Sequence, residues 1–231
     1  MTVTDPTTGR LTAASAAAGA PGTIERLTAL IGLAGVLGAV LLCGWLDLAE
    51  GNARAGTISA YVFTDPVTFT TAVIALFVGS VAVLVGLVRR GIATRRSPGT
   101  WLMTLWILGM GIVAAFPKHD WSVGPSLSGH LHRAGSLVAF LALPLAVILL
   151  TRAAVRRGLG WTAHAALGLA FAAYAYLGYL AYLIAAAGQD GVRWWRAVPL
   201  GLSERILLAL EVAALAMLAL GLFTRARPAP R

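Results

Sequence analysis

Six long apolar blocks, separated by polar segments, dominate the pattern of hydrophobic and polar residues along the chain. Within each block the apolar residues are nearly continuous, without the alternation of a half-buried strand or the one-sided stripe of a surface helix. A helix needs about 20 such residues to cross a hydrocarbon core of roughly 30 Å. The pattern therefore predicts six membrane-spanning helices, at about residues 27–46, 67–88, 100–117, 131–151, 161–187 and 204–223.

Composition supports this interpretation, because 58% of the residues are hydrophobic and only 12% are charged. Soluble domains have roughly a quarter charged residues, and a chain of 231 residues has no core large enough to bury six helices that are apolar all round. We therefore predict an all-α fold, a polytopic six-helix bundle in the membrane over residues 25–224. The Ala-, Thr- and Gly-rich residues 1–24 predict a disordered cytoplasmic tail, and residues 225–231 a short basic one.

The six predicted spans divide the charged residues unevenly between the two sides of the membrane. With six spans both termini share a side, which receives twelve cations and two acids, against six cations and seven acids on the other side. The twelve cations are Arg10, Arg26, Arg89, Arg90, Arg95, Arg96, Arg152, Arg156, Arg157, Arg225, Arg227 and Arg231. Excess Lys and Arg marks the cytoplasmic side, so we expect a multi-pass protein of the cell membrane with both termini in the cytoplasm. Topology and contact with the lipid bilayer explain the net charge of +9, and we predict no nucleic-acid partner.

A histidine cluster lies between the third and fourth predicted spans, on the predicted outer side: His119, Asp120, His130 and His132. Histidine and carboxylate side chains are zinc ligands, and a zinc ion with an open position would be catalytic. The spacing matches no established metal motif, and residues two apart point to different faces of a helix. The alternative is a solvated loop whose histidines cap the fourth helix or respond to pH. Apart from this zinc hypothesis, the sequence indicates no cofactor.

The last span carries two carboxylates, Glu204 and Glu211, which are seven residues apart and therefore share a helix face. An ionisable group inside a membrane usually faces the other helices and has a partner there. Arg133, near the start of the fourth span, lies at a similar predicted depth and is the expected partner of Glu211. A structural ion pair and a polar binding pocket or proton path remain open as alternatives.

The segment GTISAYVFTDP, residues 56–66, brings a hydroxyl, a phenol and a carboxylate to the same predicted membrane level through Ser59, Tyr61 and Asp65. Asp65 followed by Pro66 is also typical of a helix N-cap and first residue, here of the second span. No nucleophile motif surrounds Ser59. A role in a site and a capping role both remain open for Asp65.

Depth alone predicts that the polar groups at the outer ends of the spans meet one another, since polar side chains avoid acyl chains by turning inward. We expect one mouth, covered by residues 47–66 and 118–130. Its expected members are Ser59, Asp65, His130, His132, Glu204 and Arg205.

Several short segments carry a resemblance to a known family: TISAYVFTDP after the first span, GMGIVAAFP and GHLHRAGS around the histidine loop, and GLSERI opening the last span. With these segments the chain resembles the bacterial membrane family known as domain of unknown function 998, over about residues 26–223. The resemblance implies a six-helix integral membrane fold and no particular activity. The matching polar positions are Ser59, Pro117, His130, His132, Glu204 and Arg205.

Three functional hypotheses follow. The first is a protein that binds or moves a small molecule or lipid through a pocket open to the outer side. The second is a metal-assisted intramembrane hydrolase, which needs at least three ligands around one ion. The third is an accessory subunit of a membrane complex. No inverted repeat is evident, which disfavours a classical transporter, and the sequence carries no signal for an oligomeric state.

Overall fold

The computed structural model describes residues 22–50, 56–156 and 160–224, and they contain helices and no strands. Six helices are long: α1 (Thr23–Glu50), α2 (Pro66–Arg89), α3 (Pro98–Ala115), α4 (Leu127–Arg156), α5 (Gly160–Gln189) and α7 (Leu200–Gly221). Two are short, a 3₁₀ helix (Ile58–Val62) before α2 and α6 (Trp194–Ala197) before α7. The predicted all-α fold is confirmed. The two predicted tails lie outside the described residues, except that α1 already begins at Thr23.

Helices α1 to α5 are each long and apolar enough to cross a membrane. The sixth long helix, α7, differs because Glu204, Arg205 and Glu211 interrupt its apolar sequence. Its 22 residues still give a length of about 33 Å at 1.5 Å per residue, which is enough to cross the hydrocarbon core. The six long helices therefore correspond to the six predicted spans.

Capping side chains fix where α2 and α3 begin. Asp65 accepts a hydrogen bond from the Thr68 N–H at 3.0 Å, and Ser97 accepts one from the Thr100 N–H at 3.3 Å. A proline follows each cap and occupies the first turn, where its missing N–H costs nothing. Asp65 therefore has the capping role, and hydrogen bonds to the backbone of Thr68 and Val67 lower the pKa of its carboxyl.

The long helices form a closed ring in the order α1, α2, α3, α4, α5, α7, with α7 packed back against α1. Helix α7 also contacts α4 and α2 across the ring. Two helix pairs approach closely at glycines: a Cβ on Gly79 of α2 would lie 3.2 Å from the Gly35 Cα of α1, and one on Gly109 of α3 would lie 2.7 Å from the Gly135 carbonyl of α4. Small residues at helix contacts are typical of membrane bundles.

Large apolar side chains cover the outside of the ring, as expected of a surface that faces lipid. Leu41 and Leu48 of α1 and Phe171 of α5 are more than half exposed. The inside contains the buried indole of Trp106, whose Nε1–H donates to the Ser80 hydroxyl at 2.8 Å. This bond satisfies the one polar atom of a side chain that is otherwise packed among apolar neighbours.

Candidate functional site

A cavity of about 290 Å³ lies inside the ring, between α1, α2, α3, α4 and α7, with the 3₁₀ helix at one end. That end, which we call the polar end, is formed by Asp47, Ser59, His132, Glu204 and Arg205. The rest of the wall is mainly apolar. It includes Phe69, Leu76, Trp106, Met110, Val113 and Leu208. The cavity is therefore amphipathic, with polar groups at one end of an apolar chamber.

Arg205 joins three separate parts of the chain at the polar end. Its Nε donates to the Asp47 carboxylate at 3.0 Å, and its Nη2 donates to the same carboxylate and to the Tyr61 hydroxyl at 3.1 Å. Its Nη1 donates to the carbonyls of Gly56 at 2.7 Å and Gly201 at 2.9 Å. These bonds engage all five N–H donors of the guanidinium. Arg205 therefore ties α1 and the 3₁₀ segment to α7.

Tyr61 completes this network from the 3₁₀ helix. Its hydroxyl donates to the Asp47 carboxylate at 2.6 Å, and its ring lies under the Arg205 guanidinium. Burial, together with this hydrogen bond to Asp47, raises the pKa of Tyr61 to about 12. The phenol is therefore a neutral donor at any physiological pH, and the Asp47 carboxylate accepts from both Tyr61 and Arg205.

Glu204 holds the start of the 3₁₀ helix. Its Oε2 accepts from the Ile58 N–H at 2.8 Å, and the Ser59 N–H is a second backbone donor to the carboxylate. A carboxylate is favoured there because the first N–H groups of a helix have no partner within it. Lys118 is close by, where it donates to the Thr57 hydroxyl at 2.7 Å. Burial lowers the pKa of Lys118, and attraction to Glu204 opposes that effect.

His132 is buried and lines the cavity. Its Nδ1 lies 2.8 Å from the Phe116 carbonyl oxygen. A carbonyl only accepts, so Nδ1 carries the proton, and in the neutral ring Nε2 has a free lone pair. Ser136, one turn further along α4, also lines the cavity, and its hydroxyl donates to the His132 carbonyl at 2.9 Å.

The structure thus brings together four of the six residues expected at one mouth: Ser59, His132, Glu204 and Arg205. Asp65 is turned away as the cap of α2. His130 is exposed and packs its ring against His119, with ring centroids 4.7 Å apart. The two histidines of the sequence HLH face different ways because residues two apart lie on different sides of a helix.

His119 is fixed within the loop between α3 and α4 and does not line the cavity. Its Nδ1 accepts from the Ser126 N–H at 2.9 Å, so Nε2 carries the proton, and among the described residues this buried N–H has no partner. The ring lies directly on the backbone of Gly129, where any side chain would collide with it. His119 therefore shapes the loop.

Asp120 makes a local turn in the same loop. Its exposed carboxylate accepts from the Ser122 N–H at 2.9 Å and from the Ser122 hydroxyl at 2.6 Å, and these bonds lower its pKa. Over the three described ranges, no three His, Cys, Asp or Glu side chains are grouped so that they could hold a metal ion. The set of three ligands that the zinc hypothesis requires is therefore not assembled around His119, Asp120, His130 and His132.

Glu211 is buried among helices as expected, with 1% of its surface exposed. The expected pairing with Arg133 is wrong: within the described chain neither Glu211 oxygen has a hydrogen-bond partner, and Arg133 is exposed. The depths differ, because Arg133 is six residues into α4, about 9 Å, and Glu211 is eleven residues into α7, about 16 Å. The hydroxyl of Tyr174 in α5, which donates to the Leu141 carbonyl, interacts electrostatically with Glu211.

Asp47 was not singled out from the sequence, although it is the ion-pair partner of Arg205. Its only sequence signal is its position: it is the first acid at the end of the first apolar block, at the predicted level of Glu204 and Arg205. Lys118 was likewise counted only as a charge in a loop. Neither residue belongs to a local motif with the groups that it contacts.

A ring of apolar helices around an amphipathic cavity defines a multi-pass integral membrane protein. The comparison with protein families agrees: residues 55–221 match the family described as Protein of unknown function (DUF998). The match covers most of the chain, and the chain therefore belongs to this family, which confirms the resemblance noted from the sequence. No curated protein and no solved structure matches the chain.

Proposed function

We propose that this protein binds a small amphiphilic molecule or lipid in the cavity, with the polar part of the ligand at the polar end and its apolar part against α2 and α3. The observation that carries the proposal is the division of the wall, with Asp47, Ser59, His132, Glu204 and Arg205 at one end and side chains such as Leu76 and Met110 beyond them. Ligand pockets are typically apolar chambers with a few placed polar groups.

The size of the cavity favours a small or single-chain ligand. Its volume of about 290 Å³ is near the lower limit of the roughly 300–1,000 Å³ that ligand pockets usually enclose. A lipid with two full acyl chains would need more space. We therefore expect a ligand with one apolar chain or a compact apolar body.

The test uses Cys43, the single cysteine of the chain, which lines the cavity. In protein reconstituted into phosphatidylcholine vesicles, we expect N-ethylmaleimide to alkylate Cys43 slowly and a bound single-chain amphiphile to slow it further. Slowing should be about tenfold when the free ligand is roughly ten times its dissociation constant. The rate of Cys43 alkylation is measured by mass spectrometry with each of four single-chain test ligands: n-decylamine, n-decanol, decanoic acid and decyl sulfate.

The matched control moves the thiol out of the cavity, in the double variant Cys43→Ser/Ser126→Cys. Ser126 is exposed in the loop between α3 and α4, so its alkylation should not respond to the four compounds. The proposed function would be rejected if none of them slowed alkylation of Cys43, or if they slowed the control equally.

We also propose that the protein lies in the cell membrane with both termini in the cytoplasm and the polar end of the cavity toward the outside. Support comes from the arginines at the end of α2 and in the turn before α3, since Arg89, Arg90, Arg95 and Arg96 cluster at the end of the bundle opposite the polar end. Such clusters mark the cytoplasmic side.

With this orientation, a membrane-impermeant maleimide added to intact cells should reach a cysteine on the outer side of the membrane and not one on the cytoplasmic side. In a Cys43→Ser background, Ser126→Cys should react before lysis, and Thr94→Cys, which is exposed in the turn between α2 and α3, should react only afterwards. The reverse pattern would show that the polar end faces the cytoplasm.

A further inference from the structure

We infer that the ligand presents a hydrogen-bond-donating head group without negative charge, an amine or alcohol, to the polar end. This rests on the proposed function and makes it more specific. The hydrogen-bonding groups at the polar end divide into those already engaged within the protein and those that remain for a ligand.

The donors at the polar end are engaged. Arg205 is the one arginine or lysine among the described residues that line the cavity, and its five N–H groups all bond to protein oxygens. The Ser59 hydroxyl donates to the Thr57 hydroxyl at 3.2 Å, and the Ser136 hydroxyl donates to the His132 carbonyl. His132 donates through Nδ1 to Phe116. An anionic head group would therefore meet no free polar N–H or O–H on these side chains.

Acceptors, in contrast, remain free. The neutral His132 ring keeps a lone pair on Nε2, because Nδ1 holds the proton. A carboxylate has roughly four acceptor positions, and backbone groups of Ile58 and Ser59 occupy two of those on Glu204. The oxygens of Ser59 and Ser136 can also accept. A hydroxyl or ammonium group fits this arrangement, since each of its hydrogens finds an acceptor.

The charges at the polar end do not make up for the missing donors. Asp47 and Glu204 are the acidic side chains of the polar end, and Asp47 is paired with Arg205. Lys118 offsets Glu204 from outside the lining, where its ammonium bonds to Thr57. Both cations are thus already matched by a carboxylate, so a carboxylate, phosphate or sulfate ligand would enter with its own oxygens unpaired, which is costly where water is scarce. A neutral or positive donor avoids this cost.

The four compounds used for Cys43 protection share one chain and differ only in the head group, so they test the inference directly. We expect n-decylamine and n-decanol to slow alkylation at concentrations on the order of tenfold lower than decanoic acid and decyl sulfate, the size expected when charged groups are left without partners. Equal or better protection by the two anions would overturn the head-group inference and leave the proposed function standing. No protection by any compound would reject both.

A substitution tests whether Glu204 sets the preference. In Glu204→Gln, the amide oxygen still accepts from the 3₁₀ helix, while the amide nitrogen adds a donor. We expect protection by decanoic acid to rise and protection by n-decylamine to fall, reversing or abolishing the ranking. A merely structural role of Glu204 would weaken all four compounds alike.

Asp65→Asn is the matched control, because it removes the same charge from a residue outside the cavity, and asparagine also caps helices well. The wild-type ranking should persist in this variant. If the ranking of the four compounds changed identically in both variants, the head-group preference would come from net charge, and the role of Glu204 would be overturned. If Glu204→Gln does not fold, the ranking in the wild-type protein still decides the inference.

Discussion

Arg205→Ala is expected to destabilise the protein by about 3 kcal/mol, the lower end of the scale for removing one partner of a buried ion pair, because the side chains of Arg205 and Asp47 are 15% and 26% exposed. The loss is large because the substitution leaves the Asp47 carboxylate without its cation and frees the carbonyls of Gly56 and Gly201. It also releases the 3₁₀ segment that closes the polar end. We expect a clearly lower melting temperature in detergent and faster alkylation of Cys43, since the cavity opens.

Two further variants separate the ion pair from a general effect of charge. Arg133→Ala removes an exposed arginine and should leave the melting temperature almost unchanged. The double variant Asp47→Asn/Arg205→Met should be more stable than Arg205→Ala, because removing both charges leaves no half-buried ion unpaired. If Arg205→Ala melted at the same temperature as Arg133→Ala, the network would contribute nothing to stability.

Gly35→Ala is expected to have the second-largest effect, although it adds only one methyl group. That methyl would collide with the backbone carbonyl of Ala75 and lie 2.8 Å from the Gly79 Cα. Backbone atoms cannot rotate away as a side chain can, so α1 and α2 must separate along their contact. We expect a loss of about 1–3 kcal/mol, typical of overpacking, measured as a lower melting temperature.

Gly168→Ala provides the control for this substitution. Gly168 also lies within a long helix, α5, but a methyl group there would have nothing within 4 Å. Since alanine favours helix over glycine by up to about 1 kcal/mol, this variant should be as stable as the wild type or slightly more stable. Equal melting temperatures for the two variants would show that α1 and α2 can separate at no cost.

The six long helices could be predicted because membrane-spanning length and apolar composition are local properties of a sequence. Arg205 lies at the polar end of the cavity, but its partner Asp47 is 158 residues away, and no local pattern links them. The same limit explains why the 3₁₀ helix was not predicted: its start depends on Glu204, which lies 146 residues further along the chain than Ile58.

Depth in the membrane predicted which groups reach the same level, but not which way they face. His132 meets Glu204 and Arg205 around the cavity, as expected, whereas its neighbours His130 and Arg133 are exposed. The direction of each side chain depends on the rotation of α4 about its own axis, which packing against α3 fixes. Glu211 shows the opposite case, since the cost of exposing a carboxylate to lipid was sufficient to predict its burial.

The closure of the ring by α1 and α7 has a consequence for biosynthesis. Because synthesis proceeds from the N-terminus, α1 enters the membrane with Asp47 at its end while Arg205 is still untranslated. Hairpins such as α1–α2 and α3–α4 join neighbours in sequence and can form early, whereas contacts between distant segments carry a larger entropic cost and form late. The chamber therefore becomes complete only when α7 has been inserted, and a ribosome stalled before α7 leaves the ring of long helices, α1 to α5, open on one side.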